Sequence, residues 1–457
     1  MEEENKGIEE LIEELQSYIR ELKFGQIKEI LVEMNPADLA ILLGEVSDED
    51  LPILFRILPK ELAAETFVEM DGDEQELLIS AFSDRELWEV MDMMHVDDAV
   101  DVIEEMPAGV VKRILRHTDP ETRKSINEIL RYPKDSAGSI MTTEYVDLKK
   151  HMTVSEAFDR IRRIGCDKET IYNCYVTDEN RRLQGLVTVK ELFLENYNET
   201  IENIMETNVI YTNTLDDQED VARMFDKYGF MAIPVVDNEK RLVGIVTFDD
   251  AMDVIREENT EDFSKMAAIT PSDETYLKTP VWVHAKNRIM WLLFLMLSAT
   301  ITGSIIEHYE SAFQAIPLLV AFVPMLMGTG GNCGSQSSTM IIRGLALGEI
   351  RFKDFFRVIY KELRIAVIVG ILLAVANTIR IYIMYPGENP LFLAMITGIS
   401  LIGTVILAKC MGCVLPMLAK KCGLDPALMA APVLSTILDT CSVTIFFNVA
   451  VWIISIY

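Results

Sequence analysis

The sequence predicts a multidomain membrane protein: an α-helical superhelical domain, then a tandem α+β module, then a five-helix transmembrane domain. Three observations predict it. The first is a charge split. The formal net charge is −30, yet half of the residues are hydrophobic. Counting on either side of His284 resolves the contradiction. Residues 285–457 carry 8 acids and 12 Lys and Arg, a net of +4, which leaves 64 acids and 30 bases, a net of −34, in residues 1–284. The second is a set of five apolar segments, all after His284. The third is a pair of unrelated internal repeats, both before it. The acidic half excludes nucleic acid as a main partner, because that needs the opposite sign, and points to cations.

The apolar segments run over residues 289–306, 315–342, 363–385, 391–419 and 427–456, each near or above the roughly 20 residues a bilayer requires. Their connections set the topology. The first carries Glu307 and Glu310 and no base. The second carries Arg343, Arg351, Lys353, Arg357, Lys361 and Arg364. The third, Pro386 to Pro390, has no base, and the fourth has Lys420 and Lys421. Bases alternate as the positive-inside rule asks. The N-terminal half is therefore expected in the cytoplasm, and the C-terminus outside the cell. The opening Met1-Glu2-Glu3-Glu4 is the reverse of a basic secretory leader. Seven cysteines show no disulfide-framework spacing, and the CxxC of Cys410 and Cys413 lies in an apolar run with no nearby His. It reads as small-residue helix packing.

Residues 1–132 read as helices throughout. A loose repeat begins at Pro36-Ala-Asp-Leu39, Asp48-Glu-Asp-Leu51, Pro59-Lys-Glu-Leu62, Ser83-Asp-Arg-Glu-Leu87 and Val96-Asp-Asp-Ala99. Most units start with Pro, Ser or Asp, then place acids in the first turn, then an apolar stripe. Stacked short helices of this kind make a superhelix with an acidic outer face. Residues 139–258 hold a second repeat. Ile140-Met-Thr-Thr recurs as Ile204-Met-Glu-Thr. Tyr175-Val-Thr-Asp-Glu-Asn-Arg-Arg-Leu-Gln-Gly-Leu-Val-Thr188 recurs as Pro234-Val-Val-Asp-Asn-Glu-Lys-Arg-Leu-Val-Gly-Ile-Val-Thr247. Each copy reads as strand, turn, strand, helix. The pattern resembles a tandem pair of CBS domains, with the glycine and threonine in register.

Asp439 is the most informative single residue. It lies near the middle of the last segment, where a carboxylate is costly and marks a functional site by default. The competing reading is a structural partner to Lys409 or Arg380, both expected near span ends, where long side chains snorkel. Asp425 lies fourteen residues earlier. On one continuous helix the two acids would share a face, about 21 Å apart at about 1.5 Å per residue. Pro432, Ser435 and Thr436 would lie between them. The second segment is expected to break down at Met327 to Thr339, where glycines cluster and where Asn332, Gln336 and hydroxyls suit a neutral polar lining. Close packing of small residues between helices is the alternative.

Together, Gly330-Gly-Asn-Cys-Gly-Ser-Gln-Ser-Ser-Thr339, the run Asp425-Pro-Ala-Leu428 leading to Asp439, the CBS-like pair and the acidic helical domain resemble the MgtE magnesium channels over essentially the whole chain. The resemblance implies domains at 1–132 (helical), 139–200 and 201–258 (CBS), 259–284 (connecting helix) and 285–457 (transmembrane). It implies a homodimer in the inner or plasma membrane, with Asp439 of both copies facing one hydrated Mg²⁺ and Asp425 at the cytoplasmic mouth. Mg²⁺ is usually held by one or two carboxylates plus several waters. The family also implies a magnesium sensor, carried here by Asp97, Asp101, Asp250, Asp253, Glu258, Glu261 and Asp262. The acids from Asp249 to Asp262 are dense, and like charges about 4 Å apart repel by about 4 kcal/mol at an effective dielectric of about 20. The single-residue alternative is a solvated acidic helix.

Thr247 and Asp250 have the Thr-x-x-Asp spacing that CBS domains use for a ribose or phosphate, so ATP is a candidate ligand of the second module. The first copy has Thr188-Val-Lys-Glu191 instead. The function expected is Mg²⁺ uptake through a channel inhibited by cytoplasmic Mg²⁺. The rivals are a coupled secondary divalent-cation transporter and a membrane-tethered adenylate sensor. No feature supports an enzyme.

Overall fold

Short helices fill the first domain because its repeats carry local start signals. Asn35 accepts from the Ala37 amide at the start of Pro36–Gly44. Ser83 and Glu86 satisfy each other's backbone amides ahead of Asp84–Met91. Asp119 accepts from the Glu121 and Thr122 amides ahead of Pro120–Ile129. Each cap satisfies amides that have no partner inside the helix. The helices Pro36–Gly44, Leu51–Phe55, Lys60–Val68, Asp84–Met91 and Val96–Glu105 coincide with the five repeat units. Their apolar stripes meet in one core that includes Leu39, Leu54, Phe67, Leu87 and Ala99. The rings of Phe55, Phe67 and Phe82 pack at its centre, with centroids 5.4–6.3 Å apart.

This computed structural model describes residues 2–272, 276–277, 279–309, 316–387, 389–429 and 431–456. Glu310 and Glu388, in the two base-free connections, lie outside them. The described chain divides into two compact units, residues 1–255 and 256–457.

In the first unit the second repeat forms two like sheets. Strand β1 (Val146–Lys149) runs parallel to β2 (Asn173–Thr177), which is antiparallel to β3 (Leu183–Thr188). Strands β4 (Thr212–Asn213), β5 (Ala232–Val236) and β6 (Leu242–Thr247) repeat the arrangement. The repeated glycines have a steric reason. A Cβ on Gly244 would lie 2.7 Å from the Thr142 carbonyl, and one on Gly185 would lie 2.9 Å from the Glu206 carbonyl. Each Ile-Met segment therefore docks on the opposite copy. Thr142 exchanges backbone hydrogen bonds with Ile245 at 2.8 and 2.9 Å, and Glu206 with Leu186 at 2.9 Å in both directions. Tyr175, Ala232, Leu242 and Ile245 fill the seam between the copies.

The second unit holds five helices long and apolar enough to cross a bilayer: Val281–His308, Pro317–Ala346, Phe352–Met384, Pro390–Lys421 and Pro432–Ile456. Two expectations are corrected here. The glycine-rich stretch does not break its helix, which runs unbroken over Val323–Ala346. Its glycines instead admit neighbouring spans. A Cβ on Gly330 would sit 2.6 Å from the Ser442 hydroxyl, one on Gly331 2.7 Å from that of Ser435, and one on Gly334 would collide with Leu438. Tertiary packing thus outweighs the weak helix propensity of glycine.

Lys409 is the second correction. It lies twelve residues inside the end of Pro390–Lys421 and is only 5% exposed. From there it cannot snorkel. Its ammonium stands 3.8 Å from the Glu362 carboxylate and donates to the Ser337 hydroxyl at 3.2 Å, which in turn donates to Glu362 at 2.7 Å.

Breaking such a buried pair from one side leaves an uncompensated charge, at a cost of about 3–5 kcal/mol. Glu362→Ala should therefore lower the thermal stability of the detergent-solubilised protein. Glu362→Met combined with Lys409→Met should recover most of the loss. Equal melting of single and double variants would show that the pair holds nothing together.

Candidate functional site

Three acidic sites, one of them a single residue, stand out. The first is Asp439 itself, on the last span Ala431–Ile456. Its neighbour Leu438 is buried against the glycine-bearing span, and Asp439 beside it is half-buried. Among the described residues no Lys or Arg lies within ion-pair distance of it, and Lys409 is already paired with Glu362. Arg380 packs over the Phe322 ring instead. The structural-partner reading of Asp439 therefore finds no partner. On the second long helix, Asn332 and Gln336 lie one turn apart and exposed. Exposed amides on a membrane-spanning helix need water or a protein partner.

Asp425 is placed differently from the expectation. It precedes the short 3₁₀ turn Pro426–Met429 rather than lying on the last span, so it shares no helical face with Asp439. Its carboxylate accepts from the Ala427 amide at 2.8 Å and pairs with Lys265 at 2.7 Å. Lys265 also holds Glu261 at 2.7 Å. Burial opposes the Lys265 charge, but its hydrogen bonds to Asp425 and Glu261 outweigh that and raise its pKa. Asp262 stands close by. Its pKa is raised by burial and then by repulsion from Asp425, with Glu258 and Glu261 adding to it. Glu258, Glu261, Asp262 and Asp425 thus form a second cluster, with Lys265 among them.

The third cluster lies in the first unit. Asp97 sits in the first turn of Val96–Glu105 and is 7% exposed, with one carboxylate oxygen buried and without a hydrogen-bond partner. Its pKa is pushed well above the usual carboxylate range, by burial first and then by repulsion from Asp250, Asp98 and Glu169. Burial likewise lifts Asp98 to about 6 against the opposing pull of His95, with Asp249 adding to the rise. Asp250 rises to about 6 through burial, offset in part by a hydrogen bond from Thr247 and reinforced by Asp249. Glu169 is driven to about 7, again mainly by burial. Among these acids stands His95, whose Nδ1 lies 2.5 Å from Glu144 and 3.0 Å from Glu169. The Glu144 hydrogen bond raises its pKa to about 9.

Asp97 and Asp250, two of the expected sensor residues, are therefore neighbours. Asp101 and Asp253 lie exposed on the helices Val96–Glu105 and Phe248–Met266. His95, Asp98, Glu144, Glu169 and Asp249 are members that sequence reasoning missed. Asp98 and Asp249 adjoin named acids and could have been included. Glu144 and Glu169 carried no signal, since only the tertiary fold brings them to His95.

The donor set of the third cluster suits a hard, oxygen-seeking dication. It is rich in carboxylates, and the orphaned Asp97 oxygen has a desolvation cost with no compensating bond. The Thr247–Asp250 spacing has a local explanation as well. Thr247 donates to Asp250 at 2.5 Å at the start of Phe248–Met266. Thr188 and Glu191 make the equivalent capping box in the first copy, with Thr188 donating to Glu191 at 2.9 Å.

Comparison with known proteins follows this layout. Residues 34–135 match the MgtE intracellular N domain, 137–196 and 201–257 the CBS domain, and 323–449 the MgtE divalent cation transporter family. The magnesium transporter MgtE of Thermus thermophilus is 36% identical over 446 residues, covering 97% of this chain and 98% of its own. That of Bacillus subtilis is 31% identical over 447 residues, covering 98% of each. The crystal structure of the cytosolic domain of the Mg²⁺ channel MgtE in complex with ATP covers 52% of this chain and 98% of its own, at 37% identity and a TM-score of 0.51. The chain is a membrane protein with a cytosolic N-terminal part, not an enzyme, and it belongs to the MgtE family of magnesium transporters.

Proposed function

We propose that this transporter is a homodimeric Mg²⁺ channel of the inner or plasma membrane, with its C-terminus outside, that takes up Mg²⁺ and is inhibited by cytoplasmic Mg²⁺. The observation that carries the conduction reading is Asp439, a half-buried carboxylate in a membrane-spanning helix with no basic partner among the described residues. Such a group is costly in lipid, and pairing two copies across a water-filled axis would give it a use. Two carboxylates and retained water suit an ion that sheds its hydration reluctantly. The exposed amides of Asn332 and Gln336 suit the same wet path.

For inhibition, the residues that would hold the regulatory ion are Asp97 and Asp250, with Asp101 and Asp253 nearby on the same helices, and Glu258, Glu261, Asp262 and Asp425 in the second unit. Bound Mg²⁺ would add positive charge to these acid-rich clusters, beside Lys265 in one and His95 in the other. The carboxylates themselves do the sensing. They repel one another when unneutralised, and any arrangement that brings them closer is favoured only by a ligand with higher affinity for it. Nucleotide binding at Thr247 and Asp250 belongs to the same proposal, supported by the ATP complex of the related cytosolic domain. A ligand there would share Asp250 with the helix cap.

Two measurements test the reading. Asp439→Ala should abolish Mg²⁺ uptake into proteoliposomes while leaving the elution profile of the purified protein unchanged, and Asp439→Asn should be nearly as damaging. Normal uptake through Asp439→Ala overturns the pore assignment. Single-channel currents are expected of the wild type, whereas slow, coupled exchange would favour a carrier.

The second test neutralises Asp97, Asp250, Glu258 and Asp262 together as Asn or Gln. Protease protection of the exposed Pro133-Lys134 linker should rise with Mg²⁺ in the wild type and become independent of it in the variant. Protection that still tracks Mg²⁺ as in the wild type would place the sensor elsewhere.

A further inference from the structure

We propose that His95, Glu144 and Glu169 form a binding site for a first-row transition-metal dication of the zinc class, distinct from the magnesium-holding acids beside it. Three separate segments converge to build it: the residue before helix Val96–Glu105, the approach to β1, and the stretch between Gly165–Asp167 and β2. One ring nitrogen and one oxygen from each glutamate all lie within 4.8 Å of one another. That spacing lets a single ion reach all three.

The hydrogen bonding is incomplete in a way that points to a ligand. Nδ1 faces both carboxylates, at 2.5 Å from Glu144 and 3.0 Å from Glu169. It carries at most one proton, so it can donate to only one of them. The closer contact takes it, and the Glu169 oxygen is left buried with no hydrogen-bond partner. Asp97, assigned above to the magnesium-holding acids, is near enough to Glu169 for the two carboxylates to repel, so Glu169 gains nothing from that side. A protonated imidazole brings one positive charge to this group of acids. A dication brings two, and it can accept lone pairs from both glutamates at once.

The chemistry of the donors selects the ion. Mg²⁺ takes oxygen ligands and keeps its waters, whereas an imidazole nitrogen beside carboxylates suits zinc and its neighbours in the row. On binding, the Nδ1 proton leaves to solvent and the freed lone pair becomes the nitrogen ligand. The site does not depend on the magnesium-sensing reading, since His95, Glu144 and Glu169 are outside the acids assigned to it.

The test is Zn²⁺ titration of the full-length protein in detergent under excess Mg²⁺, by calorimetry, for wild type, His95→Gln and Glu169→Gln. The wild type should bind Zn²⁺ despite the Mg²⁺, and each variant should lose about tenfold or more in affinity. Zinc K-edge absorption of the wild-type complex needs no variant to fold, and it should show one imidazole nitrogen among oxygens. Loss of Zn²⁺ binding to competing Mg²⁺, unchanged affinity in His95→Gln, or a shell of oxygen alone or of sulfur would each overturn the proposal.

Discussion

Burial of more carboxylates than cations, among the described residues around Asp97, is the constraint on which the cytosolic part is organised. Asp97 shows how it is enforced. The residues around it on the helix, Val96, Ala99, Val100 and Ile103, are all buried in the domain core. Asp97 cannot turn to water without withdrawing that stripe, and each large apolar side chain contributes roughly 1.5–3 kcal/mol by its burial. The apolar pattern therefore holds an acid where electrostatics alone would not keep it. Elsewhere in the repeat, first-turn acids such as Asp38 and Glu61 are exposed. They serve only their helix N-termini. The same sequence device, an acid after a helix start, thus has two outcomes, decided by which side of the helix faces the second repeat.

How much of this was legible in the sequence follows from the range of the interactions involved. The helix starts were readable because Asn35, Ser83 and Asp119 act on amides two or three residues away. The twofold α+β repeat was readable because Gly185 and Gly244 are demanded by a close backbone approach that both copies share. What escaped depends on distance along the chain. His95 meets Glu144 and Glu169 across 49 and 74 residues, and no local pattern marks either glutamate. Asp425 was misplaced because a count of fourteen residues assumed one helix, whereas Gly423 adopts a positive φ of 73° and Pro426 opens a separate 3₁₀ turn. The glycine-rich span was misjudged for the opposite reason. Its local propensity is poor, but Ser435, Leu438, Ser442 and Thr404 occupy the space its missing side chains leave.

The membrane half contains its own control for the reading of Asp439. Glu362 is also a carboxylate on a helix long enough to span the bilayer, and the fold gives it a lysine and a serine hydroxyl. To do so it buries Lys409 deep inside the fourth span and brings Gly412 against Gly334, so that the two helices come close enough for the triad to close. The protein therefore can neutralise an intramembrane acid where its charge has no use. Asp439 lies on the neighbouring span, beside the buried Leu438 that packs in the same cluster as Cys333 and Ala408. It receives no such treatment. Among the described residues no base stands within ion-pair distance of Asp439, and a half-buried carboxylate left so in the bilayer needs water or a mobile cation beside it.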